Sequence, residues 1–174
     1  HAFTQSVLPL FEKHSIHVAS HREMRLENDY YDTNKHDFQN QKMGFRVRGN
    51  DGRYEQTLKT NGVVSGGLHT RSEFNIPLNY PQPDLTLFDA DVWPRDWDVT
   101  EKNAGLTKQF STHFTRNAYM LELGESKVEL VLDCGEACTD KASSPINEIE
   151  LELISGDINS LFTLATLIND NMPV

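Results

Sequence analysis

The chain has 174 residues, 37% of them hydrophobic, with 16 Lys and Arg against 26 Asp and Glu and a formal charge of −10. That is apolar material for one core and too little for several domains. A chain this acidic is repelled by nucleic acid and by anionic membranes, so an anionic ligand has to be met by local cations.

No apolar run approaches the ~18 residues of a membrane span, and the start His1-Ala2-Phe3-Thr4 has neither a basic region nor a cleavage pattern. Two cysteines, Cys134 and Cys138, make neither a disulfide framework nor a four-cysteine zinc site, and the expected compartment is the reducing cytoplasm. The charge is uneven: residues 1–76 hold ten basic and nine acidic side chains, residues 77–174 hold six and seventeen.

Without repeats or long linkers, residues 1–174 read as a single domain. The spacing of Val7, Leu10 and Phe11 predicts a helix over 6–13, interrupted in sequence by Pro9. Period-two segments follow at 25–33, 43–49, 53–60, 68–77, 112–123, 126–134 and 146–154, seven candidate strands, mostly antiparallel. Asn50-Asp51-Gly52 is a hairpin turn between two of them. Residues 79–111, with Pro81, Pro83, Pro94, Trp93 and Trp97, read as loop with helical pieces near 85–88 and 100–110. The glycine-rich stretch 62–67 has neither P-loop nor dinucleotide spacing and reads as a connecting loop. A last helix starts at an Asp157 cap and carries Ile158, Leu161, Leu164, Ala165 and Ile168 on one stripe.

The alternation sorts charge onto one face. Glu148, Glu150 and Glu152 oppose Ile149, Leu151 and Leu153; Arg46 and Arg48 flank Val47; Glu55, Thr57 and Lys59 oppose Tyr54 and Leu58; Arg71 and Glu73 face away from Phe74; Glu129, Val131 and Asp133 oppose Val128, Leu130 and Leu132. A half-buried sheet with a wet polar side accounts for such alternation on its own. Clustering by sign within a strand is costly unless a ligand relieves it. Carboxylates are hard ligands for Mg²⁺ or Mn²⁺ and guanidinium groups suit phosphate oxygens, so the two together describe a metal–polyphosphate site. Turned inward, these faces require a wide, hydrated bore, with the apolar faces outside under the helices.

The ordered blocks Tyr30-Tyr31-Asp32-Thr33, Met43-Gly44-Phe45-Arg46-Val47-Arg48-Gly49, Tyr54-Glu55-Gln56-Thr57-Leu58-Lys59, Gly66-Gly67-Leu68-His69-Thr70-Arg71-Ser72-Glu73 and Ile149-Glu150-Leu151-Glu152-Leu153 resemble the CYTH superfamily of triphosphate tunnel metalloenzymes, above all its bacterial inorganic triphosphatase branch. The resemblance implies an α+β fold built on an eight-stranded antiparallel β-barrel tunnel with helices outside. It implies that Arg46, Arg48, Lys59, Arg71 and Arg116 grip phosphates and that Glu148 and Glu150 ligate Mg²⁺ or Mn²⁺. Arg48, Lys59 and Glu150 then carry the reaction, and Glu55, Glu73, Glu129, Asp133 and Glu152 line the tunnel in support. The family's first strand, Glu-x-Glu-x-Lys, and its basic residue after the last helix have no counterpart here; both are expected outside this sequence, which also explains seven strands in place of eight. Branch members often carry a CHAD domain, which is absent from these residues.

The implied activity is metal-dependent hydrolysis of inorganic triphosphate, a small-molecule substrate, with no nucleic-acid or membrane partner. The alternatives are a class IV adenylate cyclase, although no segment reads as an adenine pocket, and a module that binds polyphosphate or another polyanion without cleaving it. His14, His17 and His21, spaced by three and four, read more readily as surface histidines than as ligands, and the two cysteines as free thiols at a strand end.

Overall fold

The computed structural model describes residues 2–65 and 68–171. Among them are four helices, α1 (Ala2–Lys13), α2 (Asp37–Asn40), α3 (Val99–Ala104) and α4 (Asn159–Asn171). There are nine strands: β1 (His17–Thr33), β2 (Gly44–Asn50), β3 (Arg53–Lys59), β4 (Val63–Ser65), β5 (Leu68–Thr70), β6 (Glu73–Leu78), β7 (Leu106–Leu123), β8 (Ser126–Cys138) and β9 (Ser143–Ser155). Seven of them form one antiparallel sheet in the order β6-β3-β2-β1-β7-β8-β9, and β4 and β5 form a separate ribbon.

The α+β class and the seven-stranded sheet agree with expectation, but among the described residues the sheet has two ends and is not the closed eight-stranded barrel. The expected strand over 68–77 divides into β5 and β6, because β5 pairs back on β4. Part of the expected 62–67 loop is therefore strand; Gly66 and Gly67 lie outside the described residues. The helix expected to reach residue 110 stops at Gly105, and Leu106–Phe110 belong to β7. Cys134 and Cys138 are free thiols on β8, with Cys138 at its end, as expected.

The chain divides into two compact units, one of residues 1–24, 115–134 and 146–174, the other of 25–114 and 135–145. In the second unit the Asn50↔Arg53 pair closes the β2–β3 hairpin, with Asp51 (φ 47°) and Gly52 (φ 77°) both left-handed, as a tight primed turn requires. Phe45, Leu58, Phe74 and Ile76 project from one side of β2, β3 and β6 into a cluster with Phe38, Leu85, Phe88, Trp93 and Trp97. The Pro- and Trp-containing stretch that interrupts the alternation is thus the cover of this core. Gln56 lies on the same apolar side at 0% exposure. Its amide donates to the Asp84 carbonyl (2.7 Å) and accepts from the Asp84 N–H (2.9 Å), so a buried polar group ties the cover to the sheet instead of destabilising it.

Two residues of the Tyr30-Tyr31-Asp32-Thr33 block build this frame. The Asp32 carboxylate accepts from the N–H groups of Thr33 (2.7 Å), Phe38 (3.0 Å) and Gln39 (3.1 Å), satisfying orphan donors at the start of α2. Thr33 donates from Oγ1 to Asp37 (2.5 Å), and Lys102 pairs with Asp37 at 3.1 Å. In the first unit, α1 buries Val7 and Phe11, and α4 buries Leu161, Leu164 and Ile168 of the expected stripe, while Ile158, just ahead of the helix, and Ala165 are exposed. The Asp157 carboxylate accepts from the Asn159 N–H at 3.0 Å and caps α4.

Candidate functional site

Register decides which side chains of the second unit share a face. Directly opposed residues of an antiparallel pair project to the same side. Asn28 opposes Arg48, which opposes Glu55; Tyr30 opposes Arg46, which opposes Thr57, which opposes Asn75; Gly44 opposes Lys59, which opposes Glu73. Three rows of polar side chains therefore cover the side of β1, β2, β3 and β6 opposite the Phe45–Leu58 core. Register thus brings Arg46, Arg48, Lys59, Glu55 and Glu73 onto one face of this unit.

Within it, the cations are held by neighbours on the sheet. Lys59 Nζ lies 3.0 Å from a Glu73 oxygen, both about one-third exposed. Burial pushes the Glu73 carboxyl up, but the hydrogen bond and charge of Lys59, the Asn75 hydrogen bond and the charge of Arg46 outweigh it and leave the group below the ordinary glutamate range. Arg48 donates from Nε to Asn28 Oδ1 at 2.8 Å, and Asn28, 1% exposed, donates onward to Thr112 Oγ1 at 2.9 Å. Thr57, equally buried, donates to Asn75 Oδ1 at 2.8 Å. Arg46 differs: its Nε is buried and finds no hydrogen-bond partner among the described residues. A buried cationic donor without an acceptor is costly, and an anionic oxygen relieves that cost. Arg71 occupies the link between β5 and β6 and is exposed.

The first unit carries a second cluster. Arg116 on β7 forms a bidentate pair with Asp133 on β8, Nε to Oδ1 at 2.9 Å and an Nη to Oδ2 at 2.6 Å, and the same Nη lies 3.4 Å from Glu150 on β9. Burial works against the guanidinium charge, but the hydrogen bonds and charge of Asp133, with Glu150 and Glu129, exceed it and hold the Arg116 pKa above its ordinary value. Arg22 on β1 pairs with Glu129 on β8 at 3.1 Å. The sequence reading missed Arg22, because residues 17–24 are polar on both sides of the strand and carry no alternation. It also missed Asn28, whose role rests on partners 20 and 84 residues away.

Glu148, Glu150 and Glu152 are exposed on one face of β9, at two-residue spacing. Among the described residues, no three His, Cys, Asp or Glu side chains converge on a point where a metal could sit. Asp133 is committed to Arg116, which leaves Glu148 and Glu150 as adjacent acceptor-only carboxylates. That donor set suits Mg²⁺ or Mn²⁺, hard cations commonly held by one or two carboxylates with phosphate and water supplying the rest. The three histidines form no such set: His21 stacks on Tyr119 (centroids 4.3 Å apart) with Nε2 2.8 Å from Asn117 Oδ1, and His14 and His17 are exposed.

The sheet is seven-stranded and antiparallel, and β1, β2, β3 and β6 carry polar and charged side chains in register on one face. The CYTH domain model matches residues 5–172, and the chain belongs to the CYTH domain family. It is 37% identical over 145 residues to an inorganic triphosphatase of Haemophilus influenzae, a match covering 83% of this chain and 40% of that protein, so the chain spans about two-fifths of that relative's length. Two solved structures share the fold. One is a Hippeastrum protein named for adenylyl cyclase in which triphosphatase activity is dominant, with TM-score 0.54, 16% identity, and coverage of 92% of this chain and 79% of that one. The other is a Pyrococcus horikoshii protein with TM-score 0.56, 17% identity, and coverage of 95% and 84%.

Proposed function

We propose that this chain is the hydrolytic domain of an inorganic triphosphatase, cleaving tripolyphosphate to pyrophosphate and phosphate. The observation that carries the reading is the cationic face of β2 and β3: Arg46, Arg48 and Lys59 in three successive rows of one face, with Arg46 Nε buried and lacking an acceptor among the described residues, in a CYTH chain 37% identical to an inorganic triphosphatase. We assign phosphate binding to Arg46, Arg48, Lys59, Arg71 and Arg116. Glu148 and Glu150 would hold Mg²⁺ or Mn²⁺, which when bound neutralises charge on phosphoryl oxygens. Glu55, Glu73, Glu129, Asp133 and Glu152 fix the cations or line the bore. In the whole protein we expect the sheet to form part of a closed, eight-stranded tunnel.

Chemically, a water attacks the terminal phosphorus in line, the bridging P–O bond breaks, and its electron pair leaves with pyrophosphate. Arg48 and Lys59 stabilise charge spreading over the transferred group, and Asn28 and Glu73 hold them in place, so positioning and electrostatics supply most of the rate. The free thiols of Cys134 and Cys138 are consistent with action in the reducing cytoplasm, and no helix among the described residues is long and apolar enough to cross a membrane.

Arg48→Ala and Glu150→Gln in the full-length protein are each expected to lower phosphate release from tripolyphosphate by about 10²-fold or more, the scale of losing one charge-stabilising donor, with unchanged circular dichroism. Unchanged turnover refutes the assignment. Incubation with ATP and Mn²⁺, scored for cyclic AMP against free phosphate, separates a cyclase from a hydrolase. Tight tripolyphosphate binding without turnover defines a binding module.

A further inference from the structure

The rows of the polar face that hold Arg46 and Lys59 are joined on β6. Thr57, directly opposite both Arg46 on β2 and Asn75 on β6, is 1% exposed, so water does not compete for its hydroxyl. On the β2 side it faces a guanidinium group, which has N–H donors and no acceptor. The hydroxyl proton turns to β6 instead, where Thr57 Oγ1 donates to Asn75 Oδ1 at 2.8 Å. With its oxygen engaged there, the Asn75 amide presents its NH₂ group to other partners. Alternation puts Glu73 on the same face two residues away. Asn75 hydrogen-bonds the Glu73 carboxylate, which lies 3.0 Å from Lys59 Nζ. Asn75 is exposed on the end strand of the sheet, so packing does not fix which way its amide points. Turned over, the amide would set a carbonyl oxygen against the carboxylate.

We infer that Thr57 and Asn75 are positioning residues for the hydrolysis: Thr57 fixes the orientation of the Asn75 amide, and the amide holds Glu73 where it aims Lys59 at the transferred phosphoryl group. The inference rests on the triphosphatase reading and extends it to two side chains that act through Glu73 and Lys59. The groups facing Glu73 are Lys59 from β3, Arg46 from β2 and Asn75 from its own strand. The two cations favour the carboxylate by charge, which has no preferred direction and lets Lys59 follow Glu73 through its rotamers. A hydrogen bond from a fixed amide is directional and limits the carboxylate to one placement. Thr57 suits the anchoring role because its β-branched side chain is stiff at χ1.

Steady-state phosphate release from tripolyphosphate by the full-length protein, followed against pH with Mg²⁺ present, tests this. Thr57→Val keeps the branched shape and removes the hydroxyl. Asn75→Ala removes the amide at an exposed position, where folding tolerates the change. Each is expected to lower kcat about fivefold, the scale of one hydrogen bond. Each should also move the acid limb of the kcat profile to higher pH, because a carboxylate that loses a donor is protonated more readily. Thr57→Ser, which retains the hydroxyl, should restore both. In a Glu73→Gln background, Thr57→Val and Asn75→Ala should each change kcat by less than about a factor of two, since the carboxylate they hold is gone, whereas a general structural loss would persist there. An unmoved acid limb in both variants, or an undiminished loss in the Glu73→Gln background, overturns the inference. If Lys59→Ala abolishes turnover while Thr57→Val and Asn75→Ala leave it unchanged, the positioning role fails and the triphosphatase reading stands; if the unaltered protein releases no phosphate, both fail.

Discussion

Arg116 and Asp133 form the pair whose removal separates stability from function. The Asp133 side chain is 5% exposed and that of Arg116 is 18% exposed, and two hydrogen bonds of 2.9 and 2.6 Å join them. Asp133→Ala leaves a nearly buried guanidinium with Glu150 at 3.4 Å, itself 58% exposed, as its nearest carboxylate among the described residues. Breaking one side of a buried pair costs about 3–5 kcal/mol. The remaining carboxylates and the partial exposure of Arg116 put this case at the lower end, about 3 kcal/mol, against a total stability of roughly 5–15 kcal/mol for a domain of this kind. The variant should therefore fold, with its urea midpoint lowered by about 1–3 M for a slope of about 1–3 kcal/mol/M. Asp133→Asn, which retains one acceptor, should lose about half as much.

The double variant Arg116→Met/Asp133→Leu removes both charges and leaves apolar groups of similar volume. Its stability is expected to return to that of the unaltered protein or to exceed it, while tripolyphosphate affinity falls in all three variants. Urea titration and calorimetric binding on the same samples give both quantities. Asp133→Ala within about 0.5 kcal/mol of the unaltered protein, or a double variant as unstable as the single one, would refute the reasoning that this pair is a buried charge held for binding.

Gly156 sits at φ +102°, and a Cβ there would lie 2.6 Å from the Ser126 Cα. Gly156→Ala should therefore cost about 2 kcal/mol or more and lower Tm by roughly 5 °C; a thermal melt within a degree of the unaltered protein refutes that. Glu73 titrates below the ordinary glutamate range when folded and at the ordinary value when unfolded. Its stabilisation is thus complete above the ordinary value and disappears as pH falls through the lowered one. Glu73→Gln should flatten the acid limb of the stability–pH profile in that window, and an unaltered limb excludes the Lys59–Glu73 pair as its source. Chelation should abolish phosphate release and Mg²⁺ or Mn²⁺ restore it, with Glu150→Gln raising the half-activating metal concentration by about tenfold or more. Full turnover in chelator contradicts the metal assignment.

Legibility in the sequence followed how local the determining physics is. The β2–β3 hairpin was readable because Asn50-Asp51-Gly52 offers the left-handed pair that a primed turn needs, and α4 because its stripe and its cap lie within one segment. The helical pieces of 79–111 were readable, as the 3₁₀ turn at Leu85–Leu87 and α3 show, but the burial of Leu85, Phe88 and Trp93 was not, since they pack against a sheet face built by β2, β3 and β6. Nothing in their own spacing marks Leu85 or Trp93 as core, yet they are 0% and 8% exposed. The end of α3 at Gly105 was lost for a related reason: Leu106–Phe110 continue a helical spacing in sequence, but β7 captures them in its ladder. Tertiary pairing overrides propensity in such segments.

The site divides along the same line. Alternation placed Arg46, Arg48, Lys59, Glu55 and Glu73 on one face because each strand reports its own two sides. What alternation does not encode is which cation is already satisfied. Arg116 is doubly bonded to Asp133, Lys59 is paired with Glu73 and Arg48 rests on Asn28, whereas Arg46 Nε is buried without an acceptor among the described residues. Equal in sequence, these side chains are unequal in electrostatic terms. Because a phosphate oxygen gains most where a desolvated donor is unmet, Arg46 should contribute the largest single share of ground-state affinity. The other cations already hold partners, carboxylates for Lys59 and Arg116 and the neutral amide of Asn28 for Arg48, and shift their bonds only as charge develops on the transferred group. Arg46→Ala should accordingly raise KM more than it lowers kcat, and Arg48→Ala the reverse; steady-state kinetics on both variants decide it, and the opposite ordering would show that pairing within the sheet does not set the division of labour.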